Sequence, residues 1–132
     1  MISQKVAYSL AENGARPENL SEDHKPNNQE ETDRIEAAGG FVDEEANRID
    51  GSLAVSRAMG DFSFKGRFDL PATEQKVTAF PDVKVIKRSP DNQFIILACD
   101  GCWDCKTSEE AVDFMHEKVY ENQFGKVKKS LD

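Results

Sequence analysis

Gln93-Phe94-Ile95-Ile96-Leu97-Ala98-Cys99-Asp100-Gly101-Cys102-Trp103-Asp104 is the stretch on which the reading of the fold turns. Phe94 to Cys99 is too short for a buried helix and dense in bulky apolar residues, so it reads as a strand covered on both faces. Asp100-Gly101 then turns the chain. A carboxylate at the end of a buried strand is held at the rim of a sheet, where a hard cation such as Mg²⁺ or Mn²⁺ uses oxygen ligands. Asp-Gly is also among the commonest turn dipeptides, so these few residues alone are equally explained by an aspartate that caps a turn.

Immediately upstream, Val83, Val85 and Ile86 predict a strand and Ser89-Pro90-Asp91-Asn92 a turn, which makes Phe94 to Cys99 the antiparallel partner in a hairpin that delivers Asp100 to the sheet rim. Downstream, Thr107 and Glu110 have capping-box spacing, and Ala111, Phe114, Met115 and Val119 recur at helical intervals as a core-facing stripe. From Glu121 to Asp132 the chain is polar and lysine-rich, a helix end or the beginning of another element.

The earlier half of the chain is more segmented. Val6, Tyr8 and Leu10 alternate within Lys5 to Ala11, a strand that runs into the turn signal Glu12-Asn13-Gly14. Leu20 to Pro26 reads as a loop, because Pro26 holds Lys25 extended; His24 within it is expected as a hydrogen-bonded loop residue. Asn28 followed by Glu31 resembles a capping box at the start of a short helix with Ile35 and Ala38 on its apolar side and Gly39-Gly40 at its end. Its acidic residues Glu30, Glu31, Asp33 and Glu36 read as a solvated face. Phe41-Val42 and Arg48-Ile49-Asp50-Gly51 read as two short strands around an acidic turn. Ser56 and Arg57 invite comparison with a nucleophile and a phosphate anchor, but no Gly-x-Ser-x-Gly elbow surrounds the serine. Phe62 to Thr78, interrupted by Pro71, reads as a long connection of the kind that borders a cleft.

Composition bounds the function. The 132 residues match one domain or part of one, and 38% hydrophobic content allows a modest core. A formal net charge of −8 argues against a nucleic-acid or anionic-membrane partner. With no secretory leader and no apolar run of membrane-spanning length, the expectation is a soluble cytoplasmic or nuclear protein. Cys99, Cys102 and Cys105 have the spacing of a thiolate metal site, but no fourth cysteine or suitably spaced histidine accompanies them. Reduced, partly buried thiols are the better account, with Cys99 facing the core.

The order of the motifs is more specific than any one of them. Leu20-Ser21-x-Asp23-His24-Lys25-Pro26, Glu31-x-x-Arg34-Ile35-x-x-Ala38-Gly39-Gly40, Gly51-Ser52-Leu53-Ala54-Val55-Ser56-Arg57-Ala58-Met59-Gly60-Asp61, Phe80-Pro81-Asp82-Val83 and Phe94 to Asp104 follow one another. From about Ala11 to Val119 the sequence closely resembles the type 2C metal-dependent protein serine/threonine phosphatases. The resemblance implies an α+β fold, part of a β-sandwich of two antiparallel sheets flanked by helices. It also implies a centre of two Mg²⁺ or Mn²⁺ ions, where metal-activated water attacks the phosphorus of phosphoserine or phosphothreonine in a phosphoprotein substrate. It makes Asp100 a metal ligand, and it places a flap that helps substrate selection at about residues 27–65.

Departures from the family pattern shape the expectation. The Asp-Gly-His-Gly-Gly-like motif that supplies a bridging aspartate and an acid histidine is absent, as is the later Asp-Asn ligand. Gln4-Lys5-Val6-Ala7 stands where many relatives have Gly-Asp-Ser-Arg, and Lys5 cannot replace that carboxylate. One carboxylate does not hold two divalent cations. Residues 1–132 are therefore expected to form a partial catalytic domain with a polar tail at about 120–132, inactive alone. The competing expectation is a phosphatase-derived binding module that pairs with the missing remainder of such a domain or with itself, since half a sandwich leaves strand edges and an apolar sheet face uncovered.

Overall fold

The computed structural model describes residues 5–10, 16–88, 90 and 92–128, with side chains described between residues 16 and 119. Residues 23–83 form one compact unit, and the segments before and after them form a second. The architecture is α+β.

In the second unit, strands β1 (Lys5–Leu10), β2 (Arg16–Asn19) and β5 (Asn92–Ala98) make an antiparallel sheet in the order β2-β1-β5. β1 is central, pairing Tyr8 with Glu18 on one side and Ala7 with Ile96 on the other, and its register with β5 shifts between Tyr8 and Leu10. The Glu12-Asn13-Gly14 turn lies outside the described residues. The partner of β5 is thus β1, not the segment around Val83 to Ile86. Residues 81–88 adopt no regular strand, and Val83 and Val85 are 81% and 90% exposed. Lys84 fastens this segment through its side chain, donating to Glu18 at 3.2 Å and to the Asn19 carbonyl at 2.9 Å. The flanking turn residues Ser89 and Asp91 lie outside the described set.

Along β5, half-buried Phe94, Ile96 and Ala98 alternate with exposed Gln93, Ile95 and Leu97. The expectation of cover on both faces is therefore corrected to one: Ile95 and Leu97 remain 64% and 62% exposed. An unbroken apolar run does not distinguish a doubly covered strand from one whose second face is open. Helix α2 (Asp100–Trp103) and helix α3 (Ser108–Lys128) follow, and α3 packs against β1 and β2. Thr107 and Glu110 form the expected capping box: the Thr107 amide donates to Glu110 Oε2 at 2.9 Å, and the Glu110 amide donates to Thr107 Oγ1 at 3.2 Å. Among the described side chains of α3, Ala111 and Val112 are buried, whereas Phe114 and Met115 are 50% and 37% exposed. The predicted stripe is thus displaced toward Val112. The polar tail continues α3 to Lys128.

In the first unit, α1 (Gln29–Ala37) is followed by the hairpin of β3 (Val42–Asp43) and β4 (Arg48–Ile49), as the sequence predicts. Asp43 Oδ1 closes the hairpin by accepting from the Glu45 and Ala46 amides, both at 3.0 Å. The helix ends where Gly39, at φ 79°, lets the Gly40 amide return to the Ile35 carbonyl at 2.9 Å. A Cβ on Gly40 would lie 3.0 Å from Ile35, Asp50 and Lys76 side-chain atoms alike, so any larger residue would have to push these neighbours aside. Ile35, Ile49 and Val77 are fully buried and are packed by Val42, Leu53, Ala58 and Phe64. Apart from a 3₁₀ turn at Phe62–Phe64, the Phe62 to Thr78 connection is irregular, as expected. Gln75 braces it from inside, accepting from the Arg67 amide and donating to the Arg67 and Leu70 carbonyls.

Candidate functional site

Asp100 sits where β5 gives way to α2. Cys99, extended at φ −88° and ψ −179°, is the helix N-cap, and Asp100 is the first helical residue. The carboxylate is half-buried, and its Oδ1 accepts from the Gly101 amide at 3.0 Å. The indole of Trp103 donates to the Ala98 carbonyl at 2.8 Å, tying α2 to the end of the strand. Asp100 thus opens the helix two residues past the end of β5 at Ala98, with its carboxylate on the next amide. A cleft of about 460 Å³ is lined by Trp103 to Glu110, and Asp100 is not part of its lining. Among the described residues, no three His, Cys, Asp or Glu side chains gather where they could hold a metal ion. These residues do not fit a dinuclear centre.

The thiols depart from expectation. Cys99 and Cys105 are exposed and Cys102 is intermediate. The strand ends at Ala98, so Cys99 takes the helix-cap position instead of facing the core.

The most highly connected polar cluster is one that the sequence reading placed on a solvated helix face. Glu31 is 1% exposed. It accepts from Arg34 at 2.8 Å, from Arg57 Nε at 2.9 Å and from Ser56 Oγ at 2.5 Å. Arg57 also reaches Asp82 at 2.7 Å, and Asp82 holds His24 Nε2 at 2.7 Å. The circuit closes because Ser56 Oγ contacts the His24 carbonyl oxygen at 2.8 Å. Arg34 further donates to the carbonyls of Gln75 and Ser56. Burial pushes the Glu31 carboxyl up, but hydrogen bonds from Arg57, Ser56 and Arg34 outweigh it and hold the group at about 2. His24, followed by Arg57, holds the Asp82 carboxyl below its ordinary value. The cluster pins α1, the loop at His24, the Ser56-Arg57 segment and Asp82 together.

Three sequence expectations meet here. His24 is a hydrogen-bonded loop residue, as read. Ser56 is fully buried and its hydroxyl faces Glu31 and a carbonyl, which suits a structural group and not a nucleophile. The capping box expected from Asn28 and Glu31 does not form, because Glu31 turns to the arginines and Asn28 makes no cap hydrogen bond. No local signal marked Glu31 as buried, since an i,i+3 spacing to Arg34 is equally that of an exposed helical pair.

The family model of Protein phosphatase 2C matches residues 7–130. A probable protein phosphatase 2C of Caenorhabditis elegans is 55% identical over 117 residues, spanning 89% of this chain and 32% of the relative. Protein phosphatase 2C homolog 2 of Schizosaccharomyces pombe is 54% identical over 106 residues, spanning 80% of this chain and 28% of the relative. Among solved structures, a serine-threonine phosphatase 2C from Toxoplasma gondii superposes with a TM-score of 0.75 at 27% identity, over 92% of this chain and 42% of that one. A second Toxoplasma gondii phosphatase gives 0.74 at 34% identity, over 93% and 37%. The fold is thus that of a phosphatase segment, and the chain belongs to the protein phosphatase 2C family. It spans about a third of the length of the curated relatives it matches.

Proposed function

We propose that this chain is the central-to-late portion of a catalytic domain that hydrolyses phosphoserine and phosphothreonine in phosphoproteins. The observation that supports this is the family match across residues 7–130, within which Ala98-Cys99-Asp100-Gly101 stands at the end of a sheet strand. Asp100 is the residue we assign as a metal ligand, for Mg²⁺ or Mn²⁺; in the complete domain, two such ions would supply Lewis-acid chemistry at the phosphate. The remaining carboxylates come from sequence other than the residues described above. Residues of about 27–65 serve as a flap beside the substrate, and the open face of β5 is where a second sheet would stack. The substrate is a phosphoprotein and the protein itself a soluble one of cytoplasm or nucleus; the acidic chain is poorly suited to nucleic acid or anionic lipid. No helix among the described residues is long and apolar enough to cross a membrane.

A second reading is favoured by one observation, the absence of a metal-binding cluster among the described residues. In it, the chain is a non-catalytic module that acts by pairing with the rest of a phosphatase domain or with its own copy. Mn²⁺-dependent phosphate release from a phosphothreonine peptide separates the two. Activity in the 132-residue chain that disappears in Asp100→Asn means that other carboxylates complete the centre, and it overturns the module reading. Silence in both proteins is expected of either reading; turnover that returns when the relatives' upstream motif is supplied supports the catalytic portion, and continued silence supports the module.

A further inference from the structure

Cys99, Cys102 and Cys105 take no part in the phosphatase reading, yet two of them are placed for a particular reaction. Cys99 is the extended N-cap of α2, and Cys102 is the third helical residue, its amide donating to the Cys99 carbonyl at 3.0 Å. Between them stands Gly101. A Cβ built there would lie 3.7 Å from Cys99 Sγ, so this sulfur lies against the first turn of the helix. Cys99 is exposed and Cys102 is partly so, which leaves both open to a small oxidant. Cys105 is differently placed. It follows Cys102 through continuing turns, with its amide on the Cys102 carbonyl at 3.1 Å. It lies past the end of α2 at Trp103, in the turn that follows, whereas Cys99 and Cys102 flank the first turn of the helix.

We propose that Cys99 and Cys102 form a peroxide-sensitive dithiol whose oxidation closes a disulfide around Asp100-Gly101. The Cys99 sulfur attacks one peroxide oxygen, the O–O bond breaks, and a sulfenic acid and one water result. The Cys102 sulfur then attacks the sulfenic sulfur and expels a second water. Two thiols lose two electrons and two protons, and hydrogen peroxide is reduced to two waters. The closed ring contains Asp100, so thiol state sets the freedom of that carboxylate; this consequence, unlike the bond itself, rests on Asp100 being functional.

The test is thiol counting and non-reducing peptide mapping of the purified chain after hydrogen peroxide. The wild-type chain is expected to lose two of its three thiols, with a Cys99–Cys102 linkage that dithiothreitol reverses. Cys105→Ser should form the same bond at the same rate, and Cys102→Ser should form no intramolecular bond. A Cys102–Cys105 linkage, mainly intermolecular bonds, or three unaltered thiols would overturn the proposal. Equal rates of bond formation in buffer and in urea would also overturn it, because the fold would then contribute nothing to the pairing. None of these readouts depends on phosphatase activity, so the proposal and the functional reading fail separately.

Discussion

The two units are held together by different physics. In residues 23–83 the buried hydrophobic and polar side chains are equal in number: Ile35, Ala38, Ile49 and Val77 share the interior with Glu31, Ser56, Gln75 and Thr78. The other unit is a three-stranded sheet with helices; among its described side chains Ala111 and Val112 are buried while Ile95, Leu97, Phe114 and Met115 are exposed. A polar interior fixes the course of irregular loops, because each buried donor and acceptor has one good arrangement. An open apolar sheet face specifies far less by itself and leaves surface for something else to cover.

The sharpest way to break this contrast is Glu31→Ala. It would leave Arg34, Arg57 and Ser56 without the acceptor they share. Removing one partner of a buried, hydrogen-bonded charge cluster costs about 3–5 kcal/mol. The expected result is hydrogen-exchange protection lost across residues 23–83, with the amides of β5 little changed. A loss of less than about 1 kcal/mol would show that the cluster decorates the unit and does not organise it.

Acid probes the same cluster without mutation. Glu31 falls from an ordinary value of 4.5 to about 2 in the folded chain. Between those two values the unfolded chain binds the extra proton and the folded chain does not, so acid favours unfolding. The stabilisation is fully present above pH 4.5 and is lost as pH falls toward 2, to a maximum of about 3 kcal/mol. Urea unfolding followed at stepped pH should show this decline, and it should be much reduced in Glu31→Gln. An unchanged decline in that variant would assign the acid sensitivity to other carboxylates.

What was legible in the sequence was local. The hairpin of β3 and β4, the Gly39-Gly40 stop and the Thr107–Glu110 box depend on residues within one or two turns of each other, and all three are present. Glu31 was misplaced because its deciding partners, Ser56 and Arg57, lie 25 and 26 positions away. Nothing in a four-residue helical pattern distinguishes a glutamate that meets water from one that meets a distant arginine. The partner of β5 was misread for the same reason: Val83 to Ile86 offered a nearby ladder, but β1, at the other end of the chain, supplies the one that forms. Asp100 was picked out through its motif, and the shortage of partner carboxylates was already an expectation from the motifs the sequence lacks.

A smaller effect is expected on the sheet side. Thr107→Ala removes the hydroxyl that accepts from the Glu110 amide and loosens the reciprocal bond from Glu110. Loss of such a cap costs about 1 kcal/mol. Thermal unfolding should move accordingly, and Thr107→Ser should recover most of the loss. Failure of serine to recover it would mean that the threonine methyl, and not the cap, carries the effect.

The smallest change in stability, and the most telling about the open face, is expected from Leu97→Lys. Leu97 is 62% exposed on a strand whose neighbours on that face include Ile95 at 64%. A lysine there keeps its ammonium in water and disturbs no buried contact, so unfolding free energy should shift by no more than about 0.5 kcal/mol. Self-association is different. An uncovered apolar sheet face is a surface that copies of the chain can share, and a charge at its centre opposes that contact. Sedimentation at rising concentration should show less association for Leu97→Lys than for the parent chain. If the two chains associate equally, copies of the chain meet elsewhere. If Leu97→Lys is instead strongly destabilised, the face is covered within the folded chain and the contrast between the two units fails.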